Sequence, residues 1–98
     1  MKLTESQKKH LRGLGHPLKP VIMVGDAGLS ESLLAEFGAT LEHHELIKVR
    51  VRSGDREVRN AIIDQLCKTA AAELVSRIGN VALIYKRNDE KPRIRPPG

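Results

Sequence analysis

Ninety-eight residues, 40% of them hydrophobic, are enough for one small domain with a single core and too few for two. Lys and Arg outnumber Asp and Glu by 17 to 12, and the resulting net charge of +5 favours a polyanionic partner. The single cysteine cannot form an internal disulfide, and no apolar run approaches the roughly 20 residues of a membrane span. We therefore expect a cytoplasmic protein that does not enter a membrane.

The basic residues are concentrated at the two ends of the chain. Residues 1–20 contain five basic and one acidic residue, residues 21–85 seven and nine, and residues 86–98 five and two. Residues 88–98 are also rich in proline, and such a composition does not build a core. The sequence therefore predicts a domain over residues 1–87 and a mobile basic tail over residues 88–98.

The first predicted helix begins with a capping box. Thr4 and Gln7 have the spacing at which each side chain bonds the other's backbone, and Leu11 and Leu14 then supply a thin apolar stripe. The helix is expected to end before residues 16–20, because the two prolines of this connector favour extended backbone.

A loop bracketed by two glycines follows the first predicted strand. Val21 to Val24 is an unbroken apolar run, which predicts a strand buried on both faces, and Gly25-Asp26-Ala27-Gly28 leads from it towards a helix capped by Ser30. The backbone N–H groups of such a loop and the start of the helix can bind an anion, or the glycines can simply close a tight turn. Asp26 would repel phosphate unless its carboxylate turns inward to cap the N–H groups that follow it.

The second helix and the second strand both show clear apolar periodicity. The helix is expected to bury Leu33, Leu34, Phe37 and Leu41. Gly38 costs the helix about 1 kcal/mol relative to alanine, which predicts that something packs close to its backbone. The strand, residues 46–52, alternates strictly and directs two sets of side chains to opposite faces, namely Ile47, Val49 and Val51 to the core and Lys48, Arg50 and Arg52 away from it.

Asp55 is expected to cap a third helix, whose inner side carries Val58, Ile62, Ile63, Leu66 and Cys67. Residues 73–78 and 81–85 then predict two strands joined by Gly79-Asn80, a two-residue hairpin loop. The helices between strands 1, 2 and 3 predict right-handed crossovers and parallel pairing, and the hairpin makes strand 4 antiparallel to strand 3.

Several segments, taken in order, carry a resemblance to a known family. They are Leu11-Arg12-Gly13-Leu14, His16-Pro17-Leu18-Lys19-Pro20-Val21, Val24-Gly25-Asp26-Ala27-Gly28-Leu29, Leu34-Ala35-Glu36 and Leu41-Glu42-His43-His44-Glu45-Leu46-Ile47-Lys48-Val49. Over residues 4–85 the chain resembles the CRM domain family (chloroplast RNA splicing and ribosome maturation), in its bacterial single-domain form. The glycine loop is common among proteins, whereas the connector and the His-His-Glu-Leu-Ile-Lys-Val segment at this spacing are specific.

The resemblance implies an α/β fold and a function. The fold would be a two-layer α-β-α-β-α-β-β domain with a four-stranded mixed sheet of order 1-2-4-3, like the C-terminal domain of translation initiation factor three plus an N-terminal helix. The function would be RNA binding without catalysis. In plants such domains serve group II intron splicing, and the bacterial single-domain form associates with precursors of the large ribosomal subunit. We therefore expect a monomer that binds ribosomal RNA and needs no cofactor, metal or small-molecule substrate.

Three groups of residues are predicted to contact RNA. The resemblance implies the first group, Gly25, Asp26, Ala27 and Gly28 of the loop. Charge indicates the second, Lys48, Arg50 and Arg52 of the second strand, and the third, Lys8, Lys9, Arg12 and Lys19 of the first helix and connector. For these two groups the alternative is ordinary solvated charge. One Phe, one Tyr and no Trp predict that few bases stack on aromatic rings.

Two other classes of function are alternatives to RNA binding. An enzyme would have to use His10, His16, His43, His44 or Cys67, and these residues show neither Cys-x-x-Cys nor His-Glu-x-x-His spacing, so no catalytic or metal site is predicted. The remaining alternative is a protein-interaction module whose basic surface docks an acidic protein. Competition with ribosomal RNA fragments would separate that alternative from RNA binding.

Overall fold

A computed structural model of the chain describes residues 2–90 and residue 94. Its elements, in chain order, are α1 (Glu5–Gly15), β1 (Pro20–Val24), α2 (Glu31–His44), β2 (Leu46–Val51), α3 (Arg56–Ala70), β3 (Glu73–Ile78) and β4 (Val81–Tyr85). This mixed α/β arrangement confirms the predicted fold class, and the bounds of β3 and β4 are those that the sequence predicted.

The four strands form one sheet in the order β1-β2-β4-β3, which confirms the predicted order. β1 runs parallel to β2, and β4 is antiparallel to both of its neighbours. β2 and β3 therefore do not pair directly, contrary to the pairing that the crossovers suggested. β4 lies between them, and its residues are almost all buried, as expected of a central strand.

All three helices begin at the capping residues that the sequence predicted. The Thr4 hydroxyl accepts a bond of 3.1 Å from the Gln7 N–H, and the Gln7 side chain accepts one of 2.9 Å from the Thr4 N–H. The side chains of Ser30 and Asp55 accept N–H groups from the first turns of α2 and α3. Each cap satisfies donors that have no partner within the helix.

Helices cover both faces of the sheet, α2 and α3 on one and α1 on part of the other. Strand alternation separates the two clusters. The larger cluster contains Phe37, Leu41, Ile63 and Leu66 from the helices and Ile22, Val24, Ile47, Val49, Val51, Ala82 and Ile84 from the strands. The smaller one, on the α1 face, contains Leu3, Leu11, Leu46, Val75, Leu83 and Tyr85.

The prediction that β1 is buried on both faces is wrong. Val21 and Met23 are 55% and 52% exposed, because β1 lies at the sheet edge and α1 packs mainly against β2 and β3. Leu14 and Val58, expected on the inner sides of their helices, are exposed as well. The β1 part of the α1 face of the sheet is thus left without a covering helix.

The expectation for Gly38 is also wrong. A Cβ atom added at this position would meet nothing within 4 Å, so no neighbour requires glycine there. Gly15 is the glycine at a close approach, since a Cβ there would lie 2.6 Å from Cδ2 of the buried Leu83. The close helix-to-sheet contact therefore occurs at the end of α1.

Part of the predicted tail is held against the domain. The carboxylate of Glu45, which is fully buried, accepts the backbone N–H groups of Asn88 at 2.7 Å and Ile94 at 2.8 Å. Ile94 also packs against the α1 face cluster. A boundary at residue 88 therefore does not mark where contacts with the domain end. Residues 91–93 and 95–98 lie outside the described residues, and their mobility stays a prediction.

Candidate nucleic-acid interface

The glycine loop between β1 and α2 forms a tight turn that projects into solvent. The Gly28 N–H donates to the Gly25 carbonyl at 3.0 Å, and Gly28 has a φ of 77°, a left-handed conformation that suits glycine. The first three loop residues are exposed. The turn is therefore accessible to a ligand, although its last N–H group already has a backbone partner.

Two features of the loop differ from an ideal phosphate cradle. Helix α2 begins at Glu31, three residues after the last loop residue, and the Ser30 hydroxyl already accepts a hydrogen bond of 3.0 Å from the Leu33 N–H. The exposed Asp26 carboxylate accepts no hydrogen bond from the described residues, so it does not cap the N–H groups behind it. The loop therefore presents a carboxylate to any approaching phosphate, and any contact with RNA must come from the other loop residues.

The basic residues of β2 have different surroundings although they share one face of the strand. The half-buried Lys48 donates from Nζ to the carbonyls of Leu18 at 2.9 Å and His16 at 3.4 Å. Arg50 and Arg52 are exposed and form no ion pair with the described residues. Lys48 thus holds the connector, while the two guanidinium groups are available to a ligand.

The basic residues of β2 extend from the glycine loop to a cleft at the other end of the strand. The Arg52 N–H donates to the Val24 carbonyl at 2.8 Å, which places this residue beside the start of the glycine loop. Lys48 and Arg50 line a cleft of about 500 Å³ at the other end of the same face, together with Arg12 of α1. We call these four residues, Arg12, Lys48, Arg50 and Arg52, the basic stripe. Neighbouring members on β2 are spaced by about 7 Å.

The cleft lies beside the end of α1, over the uncovered part of the sheet. Its apolar lining comes from Pro20, Ile78, Val81 and Leu83, and none of the residues that line it is acidic. Ile78 is 81% exposed, so it contributes little to the core. The arrangement offers cationic groups beside an apolar floor to a ligand that carries negative charge.

Cys67 and the adjacent His43 and His44 have defined surroundings in the structure. Burial raises the pKa of the Cys67 thiol to about 11, aided by Asp64 and Glu73, so the thiol is protonated at neutral pH and is a poor nucleophile. The rings of His43 and His44 meet edge to face with centroids 4.7 Å apart. Within residues 2–90 and 94, no three His, Cys, Asp or Glu residues are grouped so that they could hold a metal ion. Across the same residues, no helix is long and apolar enough to span a membrane.

Comparison with known proteins decides the family. The family model of the CRS1 / YhbY (CRM) domain matches residues 3–86. The chain belongs to the CRM domain family. It is 46% identical over 88 residues to "Probable RNA-binding protein PA4753" of Pseudomonas aeruginosa, which covers 90% of this chain and 85% of that protein. A Haemophilus influenzae protein named "RNA-binding protein" is 43% identical over 88 residues, covering 90% of this chain and 89% of the relative.

A solved structure agrees with the CRM fold described above. The solution structure of SAV1595 from Staphylococcus aureus, described as a candidate RNA-binding protein, matches with a TM-score of 0.84 and 33% sequence identity. The alignment covers 98% of this chain and all of that one. The resemblance stated from the sequence is thereby confirmed for both family and fold.

The CRM domain brings only some of the predicted RNA contacts together. Arg12, Lys48 and Arg50 share the cleft, and Arg52 links them to the loop. Lys8 lies one turn before Arg12 on α1 and is half-buried, whereas Lys9 and Lys19 are exposed and do not line the cleft.

Sequence reasoning missed the apolar part of the cleft. Ile78 and Val81 form a cross-strand pair, and Leu83 pairs with Lys48, so these apolar side chains flank the basic residues of β2. The strand alternation was visible in the sequence. The register that brings the three strands together depends on non-local pairing, which no local pattern contains.

Proposed function

We propose that this chain is an RNA-binding protein whose main contacts are the exposed guanidinium groups of the basic stripe, with a further contact at Gly25–Gly28. The observation that carries the proposal is the convergence of Arg12, Lys48 and Arg50 on one cleft that has no acidic lining residue. Membership of the CRM family and the names of the relatives support the same conclusion.

The more specific part of the proposal concerns the RNA. We propose precursor ribosomal RNA of the large subunit as the partner, with the protein acting as a cytoplasmic monomer that holds or orders immature RNA during assembly. The family resemblance supports this part. Crosslinking in cells followed by sequencing of the bound RNA tests it, because reads spread over unrelated transcripts would contradict a ribosomal target.

Charge reversal at Arg50 tests the basic stripe. Arg50→Glu should weaken binding to a large-subunit precursor transcript about tenfold, because a phosphate contact is replaced by repulsion. Lys68→Glu on α3 is the matched control, since it changes the net charge equally at an exposed site outside the cleft. Fluorescence anisotropy at fixed salt measures both variants. Equal losses in the two would show that only net charge matters and would refute the proposed site.

The loop requires a separate variant. Ala27→Glu adds a second carboxylate to an exposed turn and should lower RNA affinity without unfolding the protein, since the side chain lies in solvent. Circular dichroism verifies the fold. An unchanged affinity would mean that the loop is a packing turn and that the basic stripe alone binds RNA.

A protein-interaction module remains the competing function. If an acidic protein is captured from cells, excess ribosomal RNA fragments should displace it when the basic stripe binds RNA. Failure of displacement would favour the protein partner. Salt alone cannot decide, because ionic screening weakens both kinds of complex.

A further inference from the structure

The cleft beside the end of α1 is built differently from a simple phosphate-binding surface. Phosphate recognition needs positive charge and N–H donors, which the basic stripe supplies. It does not need the apolar floor formed by Ile78, Val81 and Leu83. Ile78, which is 81% exposed, lies beside Val81 and near Leu83, and together they leave apolar surface that a partner can cover.

The walls of the cleft limit what can enter it. On one side α1 descends to the sheet at Gly15, where no side chain could be accommodated against Leu83 without movement. On the other side the β3–β4 hairpin carries Ile78 at its tip. The volume of about 500 Å³ is within the range of sites for small organic groups and is too small for a helix or a duplex.

The charged groups define the chemistry of the occupant. Lys48 is held by the carbonyls of Leu18 and His16, which leaves Arg12 and Arg50 as the groups able to reorient towards a ligand. A flat group with apolar faces that is attached to an anion matches this combination of floor and rim. A nucleotide has these properties, because its base can lie on aliphatic side chains or against a guanidinium plane while its phosphate meets an arginine.

We infer that the cleft binds one unpaired nucleotide of the RNA, with its base against Ile78 and Val81 and its phosphate near Arg50 or Arg12. The inference rests on the proposed RNA-binding function and narrows its substrate class. A base within a duplex is stacked and paired and cannot enter such a cleft. The protein should therefore prefer RNA helices that are interrupted by a bulge or loop over continuous duplex.

Three RNAs that share one hairpin sequence test the inference. The first is fully paired, the second carries one additional unpaired nucleotide, and the third carries an abasic residue in place of that nucleotide. The second should bind about tenfold more tightly than the others, an effect expected from covering part of one face of a base. The abasic RNA keeps the interruption of the helix but lacks the base. It therefore separates binding of the base from any bend that the interruption causes in the helix.

An Ile78→Ser variant locates the effect. Because Ile78 is mostly exposed, the variant should fold normally, bind the paired hairpin like the wild type, and lose the preference for the unpaired base. Val58→Ser on α3 is the matched control, since it removes an exposed apolar group outside the cleft and should retain the preference.

The outcomes separate the inference from the proposed function. Equal binding of all three RNAs by the wild type overturns the inference and leaves RNA binding intact. Binding of none of them overturns both. If Ile78→Ser still prefers the RNA with the unpaired nucleotide, the base binds elsewhere and the inference is overturned. The inference is also overturned if the cleft binds a peptide instead, because Ile78→Ser would then leave the affinities for all three RNAs unchanged.

Discussion

Replacing the buried Glu45 should release the C-terminal segment and destabilise the fold. This residue is fully buried at the junction of α2 and β2, with a left-handed φ of 64°. Its carboxylate accepts the N–H groups of Asn88 and Ile94, and its own carbonyl accepts the Lys86 N–H at 2.9 Å. The Glu45 side chain thereby links the junction of α2 and β2 to backbone more than forty residues later in the chain.

The contacts of Glu45 determine how large the loss of stability should be. A hydrogen bond to a charged group contributes about 1.5–3 kcal/mol, so two of them could contribute twice that. These values already include the exchange of hydrogen bonds with water, so we expect Glu45→Ala to cost about 3 kcal/mol, the lower limit for two such bonds. Glu45→Gln keeps one oxygen acceptor and should cost about 1.5 kcal/mol. Glu36→Ala, an exposed change in α2, is the control and should fall within about 0.5 kcal/mol of wild type.

Urea unfolding measures the free energies, and hydrogen exchange at the Asn88 amide reports on the segment itself. In Glu45→Ala the free energy of unfolding should fall and exchange of the Asn88 amide should become faster. In Glu36→Ala neither should change. The reasoning is refuted if Glu45→Ala retains wild-type stability and its Asn88 amide remains protected, because the two carboxylate bonds would then contribute nothing.

Three further predictions concern single residues of the core and helices. Gly38→Ala should raise the free energy of unfolding by about 0.5–1 kcal/mol in urea, because α2 gains a better helix former where the added Cβ meets no neighbour; destabilisation would mean that a contact had been overlooked. Cys67 should resist iodoacetamide at pH 8 and become reactive in the folded protein only near pH 11. Because burial raises the pKa of the Cys67 thiol from an ordinary 9.0 to about 11, the free energy of unfolding should be unaffected by this group below pH 9.0 and should fall as the pH rises through about 11. Rapid alkylation at pH 8 would contradict this. Tyr85→Phe should leave the melting temperature unchanged or raise it, since the buried hydroxyl has no hydrogen-bond partner among the described residues and burial raises its pKa; a clear loss of stability by calorimetry would reveal an unseen partner.

The local features of this fold could be predicted because they depend on a few neighbouring residues. Thr4, Ser30 and Asp55 cap their helices through side chains that reach only two or three residues along the chain. The hairpin at Gly79-Asn80 is equally local, and Gly79 has the positive φ of 60° that such a loop requires.

The non-local features could not be predicted from periodicity. The sequence of residues 81–85 does not indicate that β4 lies between β2 and β3. The predicted strand order came from the family resemblance. The same limit explains β1, where an unbroken apolar run indicated two buried faces. Whether Val21 and Met23 are covered depends on the position of α1, and α1 packs mainly on other strands.

The charged residues of the candidate site could be predicted from the sequence, but the shape of the cleft could not. Alternation along β2 placed Lys48, Arg50 and Arg52 on one face correctly, since Ile47 and Val49 are buried on the other. It could not show that a lysine reaches the carbonyls of a connector thirty residues earlier in the chain. A charge count therefore treats as equivalent one side chain that is hydrogen-bonded to the connector and two that are exposed.

The difference between Lys48 and Arg50 explains how the cleft keeps its form while it remains open to a ligand. The Lys48 ammonium lies against the His16 carbonyl just after α1, where helix carbonyls carry partial negative charge, and against the Leu18 carbonyl. This contact fixes the connector, and the connector fixes the end of α1 that carries Arg12. Reversing all the charges of β2 at once would therefore confound loss of a phosphate contact with displacement of the cleft wall. Reversal at Arg50 alone changes the electrostatics and leaves that wall in place.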